Sequence, residues 1–391
     1  MVRLFICLVS SVLLVACQPV NSTFKEAEQI SKTVSDQYIP DSREDLFQIQ
    51  FRTKGKSLLV FGETTNSEAQ KALIDQLKKL KTPIEDSIRF LPDPVLGANT
   101  WGLVNVSVCN IRSKPGHSSE MSTQAILGTP VRILKKSNSW SFVQTPDRYL
   151  GWVDDDAIHQ TDSAGIGNWR NGKRFIYLPL AGNGFDPVTK EAVTDLVAGS
   201  ILKFDTISKA GALLEMPDGR KLVVPVSDGM DFELWKKQTQ ATAASLNTTS
   251  KTLTGRPYLW GGTSSKGVDC SGFVKTVFFL NGIILARDAS LQFRHGQFTD
   301  PNSGYNSLKP GDLVFFGRKA DGDRPARATH VGLYLGNGDY INSSGCVKIN
   351  NFSPDQKTYA KYRAGMWLGG RTILGSEGTL GIVRVKDHTW Y

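Results

Sequence analysis

Two stretches of this chain match each other at one fixed separation, and that repeat limits the architecture more than any other feature. Gly128-Thr-Pro-Val-x-Ile pairs with Gly199-Ser-Ile-Leu-x-Phe, and Val143-Gln-Thr-Pro146-Asp147 pairs with Leu214-Glu-Met-Pro217-Asp218. Both pairs lie 71 residues apart, which argues for two tandem domains of one fold. Around the first copy, short β runs are broken by Pro-Gly, Asn and Asp-Arg turns. Leu134, Trp140, Phe142, Val143, Tyr149 and Trp152 recur at strand-like spacing. Two small β-barrels are therefore expected, over residues 98–160 and 161–235.

Downstream lies the chemistry. Gly255-Arg-Pro-Tyr258-Leu-Trp260-Gly-Gly runs on to Val268-Asp269-Cys270-Ser271-Gly272-Phe273, and an apolar helix follows to Leu280. Cys270 then sits in the first turn of a helix, where unpaired N–H groups and the helix dipole favour a thiolate. A base lies in Ala328-Thr-His330-Val-Gly-Leu-Tyr-Leu-Gly336-Asn-Gly338-Asp-Tyr-Ile-Asn342, two short strands around a Gly-Asn-Gly turn. If Gly336 to Gly338 form a three-residue loop, Leu335 faces Asp339 and Gly332 faces Asn342. His330 and Asn342 then share a sheet face on the diagonal. A two-residue turn would separate them, so the odd-length loop is expected. Cys270, His330 and Asn342 become nucleophile, general base and orienter of the imidazole.

From about Thr254 to Ile373 the chain resembles the NlpC/P60 family of cysteine peptidases. The motifs that carry this are Tyr258-x-Trp260-Gly-Gly, Asp269-Cys270-Ser271-Gly272-Phe273, Leu308-Lys-Pro-Gly-Asp312-Leu-Val-Phe-Phe316 and His330-Val-Gly-Leu-Tyr-Leu-Gly. Asn342 stands where many members carry a second histidine. The two barrels resemble bacterial SH3 domains, with the Gly-Trp-Val signature (Gly151-Trp152-Val153) kept only in the first. The resemblance implies a multidomain α+β protein. A papain-like catalytic domain, 236–391, follows the two SH3-like barrels and a small α+β module, 18–97. It further implies a cell-wall peptide hydrolase, a cysteine endopeptidase cutting the γ-D-glutamyl–diamino acid bond of peptidoglycan stem peptides. No cofactor and no metal are expected, and no metal-ligand spacing appears.

The combination of modules is similar to γ-D-glutamyl-L-diamino-acid endopeptidases in which the first barrel closes one end of the groove. These accept stem peptides with a free N-terminal L-alanine, as in murein recycling. On that resemblance Glu120, Tyr149, Tyr258, Trp260, Asp269, Ser271 and Ser290 are the candidate substrate-binding residues. Each has a plainer role available: Asp269 as helix N-cap, Tyr258 and Trp260 as core aromatics, Glu120 as a surface charge. Positions equivalent to Tyr149 and Trp152 in the second barrel are Arg220 and Val223. The first barrel is thus expected to meet the ligand or the catalytic domain, and the second to pack as a spacer. The alternatives are a lytic hydrolase of polymeric peptidoglycan and a non-catalytic wall-binding lipoprotein.

At the other end, Arg3 precedes an apolar run, Leu4 to Ala16, that closes in Leu14-Val15-Ala16-Cys17. A basic start, a short apolar run and a small-residue cleavage site make a secretory signal. The ending resembles a bacterial lipobox, which implies lipidation of Cys17, attachment to a membrane through that anchor and a periplasmic, outer-membrane location. Residues 18–23 are expected to be a polar tether. Of five cysteines, Cys109, Cys270 and Cys346 remain for the mature chain, an odd number that suits a free functional thiol. The formal charge of +9 suits work near an anionic wall and supports no nucleic-acid partner. Peptidoglycan-derived peptides are the expected partners of a monomer.

Overall fold

The computed structural model describes residues 19–391, so the expected signal segment and Cys17 lie outside the described residues. The chain divides into two compact units between Leu91 and Pro92. The division falls ahead of the expected 97/98 boundary because Asp93 N–H already donates to Leu134 O in the first barrel.

The first unit runs α1 (Pro19–Tyr38), β1 (Phe47–Lys54), β2 (Ser57–Thr64), α2 (Ser67–Leu77), β3 (Ile84–Phe90). β1 and β2 form a hairpin around Gly55, and α2 carries the chain over to β3, parallel to β2. Both helices cover one face, where Ala27, Val34, Leu58, Val60, Leu73 and Leu77 are buried. Residues 19–23 of the expected tether are instead the start of α1, a helix held by its apolar stripe. The cap of α2 is Asn66, whose Oδ1 accepts from Ala69 N–H at 2.9 Å.

The second unit begins with two seven-stranded barrels. The first has β4 (Trp101–Val104), β5 (Val108–Arg112), β6 (Met121–Ile126), β7 (Pro130–Ser137), β8 (Trp140–Gln144), β9 (Leu150–Asp154) and β10 (Ile158–Thr161). After α3 (Ser163–Asn171) come β11 (Arg174–Tyr177), β12 (Ala181–Phe185), β13 (Ala192–Val197), β14 (Ile201–Ser208), β15 (Gly211–Glu215), β16 (Lys221–Val224) and β17 (Gly229–Asp231). The strand orders, β10-β4-β7-β8-β9-β5-β6 and β17-β11-β14-β15-β16-β12-β13, are the same. Both barrels carry a bulge at one equivalent place, between Ile133 and Lys135 and between Phe204 and Thr206. The copies differ in the hairpin before the third strand, residues 113–120 in the first and the shorter 186–191 in the second.

The remainder holds α4 (Phe232–Gln238), α5 (Ala243–Thr252), β18 (Thr263–Ser264), β19 (Gly267–Val268), α6 (Cys270–Leu280), β20 (Ile283–Leu285) and α7 (Ala289–Gln292). There follow β21 (Gln297–Thr299), β22 (Leu313–Arg318), β23 (Arg327–Gly336), β24 (Asp339–Ser344), β25 (Cys346–Asn351), α8 (Lys361–Gly365), β26 (Trp367–Thr372) and β27 (Ile382–Arg384). Six of these strands make the main sheet, β21-β26-β22-β23-β24-β25. Against it lies α6, its Phe273, Val274 and Val277 buried with Leu313, Phe315, Val331, Leu333 and Ile341. At roughly 1.5–3 kcal/mol per large apolar side chain, this contact fixes the helix that carries Cys270 over the strand that carries His330. A second core, with Leu103, Ile176, Ile201, Trp235, Ile284 and Tyr391, joins both barrels to the catalytic domain.

Candidate active site

Cys270 opens α6, and the cap before it is Asp269, whose Oδ1 accepts from Gly272 N–H at 2.7 Å. The Asp269 carboxylate is 8% exposed and fully engaged. Oδ2 takes Gly261 N–H at 3.0 Å, Oδ1 takes Ser271 Oγ at 3.2 Å, and the Arg287 guanidinium reaches both oxygens, at 3.1 and 2.5 Å. Burial pushes this carboxyl up, yet Arg287 beside it overcomes burial and holds it below the usual carboxylate range. Arg287 is 1% exposed. It also donates to Ser271 Oγ at 2.9 Å and, through Nε, to Thr123 Oγ1 of the first barrel at 2.8 Å. The capping role of Asp269 is therefore realised, and Ser271 belongs to the same network.

Asn342 is wholly buried on β24, and its Oδ1 lies 2.9 Å from His330 Nε2. Its amide nitrogen is turned to Asn350 Oδ1 at 2.9 Å and Lys348 O, which leaves the oxygen as acceptor for the imidazole. That network assigns the proton to Nε2 and leaves the Nδ1 lone pair available to take one from a thiol. The register that brings the pair together is the expected one, Leu333 facing Ile341, but the turn is not. Gly336 pairs with Asp339 across a two-residue Asn337-Gly338 turn, both at positive φ, and a bulge at Leu335 restores the pairing beyond it. The N–H of Val331, the residue after His330, acts on the Cys270 thiol in the direction of its ionised form. Ser343 Oγ donates to Val268 O at 2.8 Å, tying β24 to the loop that leads into the nucleophile.

The expectation of a resting thiolate is corrected. Burial and the neighbouring Asp269 carboxylate push the Cys270 thiol up to about 11, against smaller help from the Val331 and Ser271 N–H groups. Burial and the charge of Arg363 push His330 down to about 4, against the Asn342 hydrogen bond. Both shifts favour the neutral thiol and the neutral imidazole over the ion pair. The helix start is outweighed because desolvation acts on the ion directly, whereas the terminal dipole is worth only about 0.3–1 kcal/mol at ordinary sites.

The first barrel lies against this centre. Trp260, 62% exposed, donates Nε1 to Glu120 Oε1 at 2.8 Å. Thr263 N–H meets Gln124 Oε1 at 3.0 Å, and Lys275 pairs with Asp147 at 3.1 Å. Tyr149 is buried with Ala286 and Leu291, and its hydroxyl donates to Asp288 at 3.0 Å. Ser290 is half-buried on α7, two residues beyond Asp288. Tyr258 is half-buried beside Cys270 and Asp269, and its hydroxyl is pushed up to about 12 by burial and by those two groups. Gly261 has φ +78°, and a Cβ there would stand 2.4 Å from Met121 O, so the approach of barrel to loop requires glycine. Arg287, Thr123, Gln292 (which donates to Ser271 O at 3.2 Å) and Arg363 were not singled out from the sequence. Only Arg287 had a hint there, in its place beside Asp288-Ala289-Ser290.

Residues 255–378 match the NlpC/P60 family, and residues 111–158 match the bacterial dipeptidyl-peptidase SH3 domain. The chain is therefore a hydrolase of cysteine-peptidase type that joins an NlpC/P60 domain to a bacterial SH3 domain. It is 27% identical over 307 residues to a Bacillus cereus protein named gamma-D-glutamyl-L-lysine dipeptidyl-peptidase, covering 73% of this chain and 88% of that one. It is 28% identical to dipeptidyl-peptidase 6 of Lysinibacillus sphaericus, over 65% of this chain and 92% of the relative. The crystal structure of a Bacillus cereus NlpC/P60 family protein shares the fold, with a TM-score of 0.59 at 21% identity, covering 70% of this chain and 99% of the other.

Proposed function

We propose that the protein cleaves the γ-D-glutamyl–diamino acid bond of free peptidoglycan stem peptides that begin with L-alanine, in the turnover of murein peptides. Cys270 passes its thiol proton to His330 Nδ1 as the sulfur attacks the glutamyl carbonyl. The N–H of Cys270, at the start of α6, is the natural donor to the oxyanion. His330 returns the proton to the leaving amine. Water then adds to the thioester, gives a proton back to the thiolate by way of His330, and releases the dipeptide acid.

The observation that carries this reading is the contact of Trp260 with Glu120, which sets a barrel carboxylate beside one lip of the cleft. A blocked end suits an enzyme that removes two residues, and a carboxylate there suits an ammonium group. Two relatives named as dipeptidyl-peptidases point the same way. The test compares L-Ala-γ-D-Glu-L-Lys, its N-acetyl form and intact sacculi, with products read by mass spectrometry. Turnover of the free tripeptide alone is expected. Digestion of sacculi without the tripeptide would reject the capped cleft in favour of a lytic hydrolase. We propose also that Cys17 is lipidated and holds the protein on the outer membrane facing the periplasm. Palmitate labelling lost in Cys17→Ala is the corresponding check.

A further inference from the structure

Near His330 stands a cation, Arg363, with no counter-ion among the described residues. Arg363 lies in α8, whose last turn leads directly into β26, with Met366 N–H donating to Arg363 O at 3.0 Å. Met366 O in turn takes Gly317 N–H at 2.9 Å, and Trp367 pairs with Phe316, the residue that faces His330 across β22 and β23 with its ring 5.9 Å away. The Arg363 side chain is half-buried and rests over Tyr362, 5.7 Å from the ring centre. Among the described residues no carboxylate pairs with it and no side chain accepts from it, whereas Arg287, Arg174 and Arg384 each have an acid. Its charge is felt at His330, Tyr258 and Tyr340, three groups on three elements around the cleft. A guanidinium held there makes the site's own base harder to protonate, and nothing in the protein is gained by it. The arrangement makes sense if the missing anion comes with the substrate.

The direction of the reaction says which anion. The amine that departs takes its proton from His330, so groups near His330 face the leaving half of the peptide. The Asp269–Arg287 network and the barrel stand with Cys270 on the acyl half. Resting on the function proposed above, we infer that Arg363 binds the α-carboxylate of the diamino acid on the leaving side of the scissile bond. The planar fork of arginine matches a carboxylate bidentately. The enzyme would then favour a tripeptide whose third residue is terminal over one whose carboxyl is capped.

The test measures kcat/KM for L-Ala-γ-D-Glu-L-Lys, its lysine α-carboxamide and its D-isoglutamine analogue, with wild type, Arg363→Gln and Arg363→Lys. Wild type should lose about tenfold or more on the lysine carboxamide, the worth of a charge-assisted hydrogen bond. Arg363→Gln should treat acid and carboxamide alike within about twofold, with Arg363→Lys in between. An acid preference that persists in Arg363→Gln overturns the inference. So does a preference that follows the D-glutamyl carboxylate, or a variant that changes only the pH profile. A wild type that leaves the tripeptide uncut overturns the function itself, and this assignment falls with it.

Discussion

Replacing Arg287 by methionine should convert the best-satisfied charge in the molecule into the most costly one. The wild-type guanidinium makes four hydrogen bonds, three of them to Asp269 and Ser271 around the nucleophile and one to Thr123. Arg287→Met leaves Asp269 buried with only two backbone N–H groups and Ser271 Oγ. Removing one partner of a buried pair costs about 3–5 kcal/mol, a large part of the roughly 5–15 kcal/mol that holds a domain together. The sign depends on pH. In wild type the Asp269 pKa is lowered, so the pair's contribution is full above the unfolded value, 3.8, and is lost as pH falls through the folded value. In the variant only the remaining hydrogen bonds, from Gly272 N–H and Ser271 Oγ among them, oppose burial, and the carboxyl should rise. The unfolded chain then ionises first, and stability falls as pH rises above about 4. Urea midpoints at pH 4.5 and 7.5 measure this directly. The deficit of Arg287→Met should be present at the lower pH, where the wild-type pair is already intact, and larger at the higher, where the variant's Asp269 is forced to ionise while buried. Adding Asp269→Asn, which keeps the capping oxygen, should recover most of it. An equal deficit at both pH values, or no recovery in the double variant, would refute the argument.

Other consequences are quicker to check. Alkylation of Cys270 by iodoacetamide should keep accelerating as pH rises toward about 11, and a plateau already reached at neutral pH would mean a resting thiolate after all. The acid limb of kcat/KM should fall near pH 4 rather than 6.5, because His330 must be neutral to take the thiol proton. The same shift makes the folded protein lose stability between pH 6.5 and 4, where the unfolded chain binds the proton first; titration of the ring by NMR checks the value. Gly261→Ala should cost about 1–2 kcal/mol from positive φ alone, with more from the Met121 carbonyl in its path. Faster proteolysis between barrel and catalytic domain would register it.

The sequence carried the centre of the site further than its surroundings. Alternation along 328–342 and the demand that His330 and Asn342 share a face were enough to find their hydrogen bond. The turn between them was misjudged because a bulge at Leu335 leaves no residue-type signature, while Asn-Gly is itself the usual two-residue pair. The thiolate was misjudged for another reason: helix position is written in the chain, but the depth of burial around Cys270 arises from strands 60 residues away. Arg287 escaped notice because a lone arginine after an apolar strand reads as surface, and only docking of the barrel supplies Thr123. The tether that proved to be the start of α1 is six residues of mostly polar type, too short a run to display a helical period. The 71-residue repeat reached the fold directly, since each of the last five strands of one barrel recurs at that interval in the other.

The hairpin that differs in length between the sibling barrels acts as a stop gauge. Both versions end in a glutamate, Glu120 and Glu191, 71 residues apart, but it is Glu120, at the end of the longer one, that meets Trp260. On the function proposed above, trimming 113–120 to the length of 186–191 should loosen that stop and admit strands still woven into the wall, trading salvage for demolition.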